Sequence, residues 1–139
     1  MEISKDLAAI GRYMRRQRNG YMAPLGLKGI HARLLLHVLR TPGISQDGLA
    51  QRAGFDKSNI ARQVALLEEK GYLRRSPDPQ DKRVMQLFPT EPTLALEAEL
   101  LEAMEQWETQ LLKRLSQQEQ QTFAALLKKV CAAAMEDEG

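Results

Sequence analysis

Residues 56–71, DKSNIARQVALLEEKG, decide the fold of this chain. Asp56 is an N-cap candidate, because its carboxylate can accept a hydrogen bond from a free amide of the first helical turn. Gly71 is the matching C′ candidate, since glycine enters the left-handed region without steric cost. Between them Ile60, Val64 and Leu67 recur at helical spacing and form one apolar stripe. The opposite face carries Ser58, Ala61, Arg62, Ala65 and Glu69. Small residues beside a hydroxyl and a guanidinium make a face that can come close to another surface. Upstream, residues 45–52 show a second short helical pattern with Leu49 and Ala50 inward, and Ala53-Gly54 offers a tight turn. Two short helices joined by a glycine-containing turn are a helix-turn-helix signature. Downstream, YLRR (72–75) and RVMQLF (83–88) read as two strands around the polar loop 76–83, which adds a β-hairpin, or wing.

The flanks read as helices. Residues 3–18 place Ile3, Leu7, Ile10 and Met14 on one stripe and end in a basic cluster of Arg12, Arg15, Arg16 and Arg18. That cluster suits either a helix C-terminus or a phosphate or subunit neighbour. Gly20, Pro24 and Gly26 predict a loop over 19–27. A second helix follows over 28–40, with Ile30, Leu34, Leu35 and Val38 apolar, and Thr41-Pro42-Gly43 stops it. After the hairpin, Pro89 keeps Phe88 out of a helix, and Thr90 is an N-cap candidate. Residues 91–114 predict a long helix with Leu94, Leu101, Met104, Trp107 and Leu111 near one face. Ser116-Gln117-Gln118-Glu119 is a capping box that opens the last helix. Phe123, Leu126, Leu127, Val130, Cys131 and Ala134 give that helix a wide apolar stripe. The tail EDEG (136–139) is expected to be disordered.

The fold class expected is therefore mainly α with a small β-wing. A chain of 139 residues suggests one domain and can bury about 68–70% of its unfolded surface, so it needs no disulfide or metal. Its one cysteine cannot form an internal disulfide, which fits a reducing, cytoplasmic setting. No secretory signal pattern is evident at the start, and no apolar run is long enough to cross a membrane. The net charge of +2 hides a division. Residues 1–90 carry 16 Lys+Arg against 8 Asp+Glu, a balance of +8, while residues 91–139 carry 4 against 10, a balance of −6. A basic front and an acidic back suit a polyanion partner on one side only, or merely solvated helix faces.

The stretch ISQDGLAQRAGFDKSNIARQVALLEEKGYLRRSPDPQDKR (44–83) resembles the winged helix-turn-helix of the MarR family of bacterial transcription regulators. The resemblance rests on the LA…AG helix pair, the S-x-x-x-R start at Ser58 and Arg62, the LEEKGYLRR exit and the DPQDKR wing. Two departures stand out. Leu27-Lys28 replaces the Leu-Thr usual before the second helix, so that helix lacks a hydroxyl cap. Pro89 and Pro92 interrupt the Leu-Thr-x-x-Gly usual after the wing, with Thr90 kept. The resemblance implies one domain over 1–139, with a winged lobe at 28–89 and dimerisation helices at 1–20 and 90–136. It also implies a homodimer on an inverted-repeat DNA operator, acting as a ligand-responsive repressor.

A B-form major groove is about 12 Å wide and accepts one α-helix. Lys57, Ser58, Asn59, Ala61, Arg62 and Gln63 then face DNA. Arg62 suits a two-pronged bond to guanine, Asn59 and Gln63 suit adenine or phosphate, and Ala61 a thymine methyl. Ser45 and Gln46 open the preceding helix, whose backbone amides favour phosphate. By resemblance Arg83 enters the minor groove and Asp81 pairs with it to set its direction. Lys82 and Arg75 can neutralise phosphates. The dimer interface is expected at Leu101, Met104, Phe123, Leu127 and Val130, since exposed stripes of this size mark interfaces. By resemblance a small aromatic or phenolic effector sits in a crevice that Tyr13, His31 and Trp107 can line, although each also fits plain packing.

Other classes stay on the table at this point. Catalysis is not expected: His31 and His37 are six apart, off a common helix face, and no nucleophile elbow, Walker loop or dinucleotide fingerprint is present. For the same want of ligand spacing no metal or cofactor is expected. A winged helix can serve protein assembly without DNA. A redox sensor would have to act through Cys131, which the apolar stripe instead marks as a small buried hydrophobe.

Overall fold

The computed structural model describes residues 1–138, and its elements follow from identifiable local causes. Among those residues the chain forms α1 (Ile3–Met22), a 3-10 turn (Ala23–Leu25), α2 (Gly29–Arg40), β1 (Ile44–Ser45), α3 (Gln46–Ala53), α4 (Lys57–Glu69), β2 (Leu73–Pro77), β3 (Met85–Pro89), α5 (Glu91–Leu111) and α6 (Gln117–Glu138). Two compact units result: Met1–Glu102, and the residues from Ala103 onward. The first is wider than the expected 28–89 lobe, because α1 is tied to α2.

That tie corrects the start of the molecule. α1 runs on past Gly20, where a loop was expected, because Met22 at its end is wholly buried. α2, lacking a hydroxyl cap, recruits two substitutes. Asn19 Oδ1 accepts from Gly29 N at 2.7 Å, and His31 Nδ1 accepts from Lys28 N at 2.9 Å. These satisfy amides that a helix start leaves without partners. Gly29 allows the approach: a Cβ there would lie 2.7 Å from Asn19 Oδ1, 2.8 Å from Arg18 Cβ and 3.0 Å from Asn19 N. Gly29→Ala is therefore expected to cost about 1–3 kcal/mol, the range for overpacking a tight contact. Urea unfolding of the two proteins checks this, and equal midpoints would show that α1 can slide away freely.

The helix pair closes as the sequence suggests. Ser45 Oγ accepts from Gly48 N at 2.9 Å and caps α3, while Asp56 Oδ1 accepts from Asn59 N at 2.7 Å and caps α4. Gly54, at φ 76°, makes the left-handed turn between them. Gly71, at φ 85°, ends α4 in a Schellman motif: Gly71 N donates to Glu68 O and Tyr72 N to Leu67 O. Ile60, Val64 and Leu67 all face inward at 1% exposure or less, as do Leu34, Leu35, Val38 and Leu49 of the same core.

The sheet is antiparallel in the order β1-β3-β2, with Leu73 opposite Pro89 and Arg75 opposite Leu87. β1 escaped the sequence reading, since two residues carry no alternation. Leu87 and Leu73 seal the sheet onto the core. Thr90 does not serve through its hydroxyl as the cap expected of it: that hydroxyl donates to Gly71 O, and the Thr93 hydroxyl donates to Tyr72 O. The two threonines thus pin the start of α5 to the residues that end α4.

In the second unit the expected capping box forms. Ser116 N donates to Glu119 Oε1 at 2.8 Å and Glu119 N to Ser116 Oγ at 3.1 Å. α5 stops at Leu111, three residues short of expectation. α6 continues through Glu136 and Asp137 to Glu138, so those residues are helical rather than disordered; Gly139 lies outside the described residues. Residues 121–137 are all exposed. Cys131 is exposed with them, against the expectation of burial.

Candidate nucleic-acid interface

α4 presents its outer face on a rigid mount. Its apolar side is buried, both ends are capped, and Lys70 Nζ donates to Gly26 O at 2.7 Å. Lys57, Ser58 and Arg62 are exposed, while Asn59, Ala61 and Gln63 are half-buried at the helix flank. Asp56 is a firm anion here. The Asn59 amide, then the Ser58 hydroxyl, then the charge of Arg62 hold its carboxyl below the usual range. Ser58 Oγ donates to Asp56 Oδ1 at 3.1 Å, which leaves its lone pairs to accept.

Gln63 and Asn59 are more constrained than the sequence suggested. His31 Nε2 lies 2.9 Å from Gln63 Oε1, and Gln63 Nε2 donates to Asn59 Oδ1 at 3.2 Å. His31 itself is 3% exposed with both ring nitrogens engaged, so it has no nitrogen left for a ligand. Tyr13 is half-buried on α1, and Trp107 is half-buried in the second unit.

The wing supplies the second charged group. Arg83 grips Asp81 with both prongs, Nε to Oδ1 at 3.0 Å and Nη2 to Oδ2 at 3.1 Å, while Arg83 N also donates to Oδ1. The guanidinium lowers the Asp81 pKa, and the carboxylate raises that of Arg83. The Arg83 side chain is nevertheless 90% exposed, so the pair aims the arginine outward without hiding it. Lys82 beside it is exposed. Ser45, Gln46 and Arg83 meet in a cleft with Asp47, Val84 and Met85, which joins the start of α3 to the wing.

Two contacts at the wing root were missed. Arg75 pairs with Glu68 at 2.9 Å, which offsets part of the charge expected to meet phosphate and holds Glu68 below the usual carboxylate range. Arg74 lies 4.5 Å from the Phe88 ring centroid, a cation–π contact that braces the hairpin. Neither had a usable signal, because each depends on how β2 meets a neighbouring element.

Comparison with known proteins places this geometry. The model of the MarR family matches residues 25–84. The uncharacterized HTH-type transcriptional regulator YybA of Bacillus subtilis (strain 168) is 29% identical over 129 residues, 93% of this chain and 86% of that protein. The transcriptional regulator HosA of Escherichia coli O111:H- is 33% identical over 92 residues, 66% of this chain and 68% of that protein. A crystal structure of MarR superposes with a TM-score of 0.85 at 29% identity, covering 98% of this chain and 99% of that one. Helix pair, wing and sequence agree, and the chain belongs to the MarR family of winged-helix transcription regulators.

Proposed function

We propose that the chain binds double-stranded DNA as a homodimer and represses transcription from an inverted-repeat operator. The observation that carries this is the pairing of two exposed arginines on fixed mounts, Arg62 on α4 and Arg83 clamped by Asp81 at the wing. One suits a guanine edge in the major groove; the other suits the strongly negative, narrow minor groove. Lys57, Lys82, Ser45 and Gln46 lie where they can meet phosphates and set the register, while Arg75 can add charge only beside its Glu68 partner. The role is regulatory rather than catalytic.

The dimer reading rests on apolar faces that the chain leaves open. Ile3 and Leu7 on α1, Leu101 on α5, and Phe123, Leu126, Leu127 and Val130 on α6 are all at least 36% exposed. Met104 is half-buried next to them in sequence. Isologous pairing of α5 and α6 would relate two α4 helices by a two-fold axis, with half-site centres about 10 bp apart. No described helix is long and apolar enough to span a membrane; a cytoplasmic site of action is part of the proposal. So is release by a small aromatic or phenolic anion; Tyr13 and Trp107 are each a candidate contact taken by itself, and a thermal-shift series of aromatic acids is the test.

Selection from a randomised duplex library is the direct experiment, with an inverted repeat and steep loss of binding with salt as the expected result. Recovery of no preferred sequence would overturn the reading. On the selected duplex, Arg83→Ala is expected to weaken binding to all sequences alike and to lower the salt slope by about one. Asp81→Ala is expected to do part of the same damage by freeing the arginine. Wild-type binding by both variants in a gel shift would remove the wing from the interface.

A further inference from the structure

His31 links the start of α2 to the outer face of α4, and its chemistry has a direction. Lys28 N donates to Nδ1 at 2.9 Å. A backbone amide has only a proton to give, so Nδ1 must hold the lone pair, and the neutral ring carries its proton on Nε2. Nε2 then donates to Gln63 Oε1, which turns the Gln63 NH2 toward Asn59 Oδ1. Each amide oxygen thereby has one lone pair taken by a donor of the protein and is turned toward it. The donors left on offer are the Asn59 NH2 and the second proton of the Gln63 NH2, while each oxygen keeps only its second lone pair.

We propose that His31 is a positioning residue for base reading, which orients the Gln63 and Asn59 amides so that they present N–H donors to DNA. This rests on α4 being the recognition helix. The consequence is a preference. An adenine held by two prongs needs both an acceptor and a donor from one amide, whereas guanine offers two acceptors, N7 and O6. The oriented pair favours guanine, or another acceptor edge, over the adenine that Asn and Gln would ordinarily suit.

The same chain of bonds makes the reading pH-sensitive. Burial first, then the charges of Lys28 on its own segment and Lys70 at the end of α4, hold the His31 pKa below its usual value, against the raising effect of Gln63. Protonation would set Nδ1–H against Lys28 N–H, two donors facing each other. A histidine with a depressed folded-state pKa contributes stability above its unfolded pKa, near 6.5, and loses it as pH falls toward the lower folded value. Reading by Gln63 should therefore persist through the ordinary histidine range and fade only as pH falls through the lowered folded-state value.

The test uses the full chain and the duplex obtained by selection, with all single-base variants of one half-site. The relevant base pair is the one at which Gln63→Met loses preference. At that pair, His31→Phe is expected to lower discrimination about tenfold while keeping preference elsewhere. In the Gln63→Met background, adding His31→Phe should change nothing further, since both act through one group. As pH is lowered from about 7.5 through the His31 titration, followed by NMR of the ring in the folded chain, the wild type should lose discrimination at that pair in step with it, His37→Asn should follow, and His31→Phe should stay flat. Undiminished discrimination in His31→Phe, additive effects in the double variant, or a flat wild-type profile would each overturn the proposal. If His31→Phe does not fold, the wild-type and His37→Asn profiles decide alone. A wild type that selects no sequence overturns the DNA reading and this proposal with it, whereas a wild type that selects normally while His31 is silent overturns this proposal only.

Discussion

Leu127→Glu is expected to abolish the dimer and operator binding together. Leu127 is 38% exposed on α6, between Phe123 at 36% and Val130 at 56%, and residues 121–137 are all exposed. Burying a leucine of this kind contributes about 1.5–3 kcal/mol relative to leaving it in water. The glutamate removes that gain and places a charge at the seam. Leaving a buried charge without a partner costs about 3–5 kcal/mol, and a two-fold interface repeats the cost. The isolated chain meets no such penalty, because its own Leu127 is exposed and a glutamate there can reach water. Its circular dichroism spectrum should match that of wild type. Light scattering should then report the mass of one chain, and a gel shift should show loss of the shifted band, since one lobe makes too few phosphate and base contacts. A monomeric variant with wild-type operator affinity would show that two-fold pairing is not how this chain reaches DNA.

The features that could be read from the sequence are those whose cause lies within one element. Ile60, Val64 and Leu67 recur at helical spacing, and Asp56 and Gly71 stop the helix at each end, so α4 was legible residue by residue. The Ser116 and Glu119 box was legible for the same reason. The Asp81 and Arg83 pair is only two residues apart, and family resemblance pointed to it. Features that depend on two elements meeting were not legible. Gly29 looks like an ordinary helix position until Asn19 is brought against it. Thr90 looks like a cap until the Gly71 carbonyl arrives. His31 and Gln63 are 32 residues apart, and nothing in the spacing of either predicts a shared bond. Burial of Cys131 was misjudged because an apolar stripe states that a surface wants cover, not which chain provides it.

That limit sets the value of the Arg62 variant, because base reading also depends on two molecules meeting. Arg62→Ala is expected to cost about 1–3 kcal/mol on the selected duplex and to relax preference at one base pair per half-site. Arg62 is exposed, the Asp56 cap is bonded to the Asn59 amide, and Arg62 reaches that cap only through its charge. Alanine is the strongest helix former, so the variant should keep α4 intact and its melting temperature close to wild type. The guanidinium offers a rigid fork that matches guanine O6 and N7, and lysine cannot replace that geometry. Arg62→Lys should therefore keep the salt slope yet lose much of the base preference, while Arg62→Ala loses both. The wing variant Arg83→Ala supplies the contrast, with affinity lost and preference kept. Competition gel shifts against the full set of single-base variants measure all three proteins on one scale. If Arg62→Ala weakened every duplex equally, Arg62 would be a phosphate contact, and base reading would fall to the Asn59 and Gln63 amides that His31 holds in place.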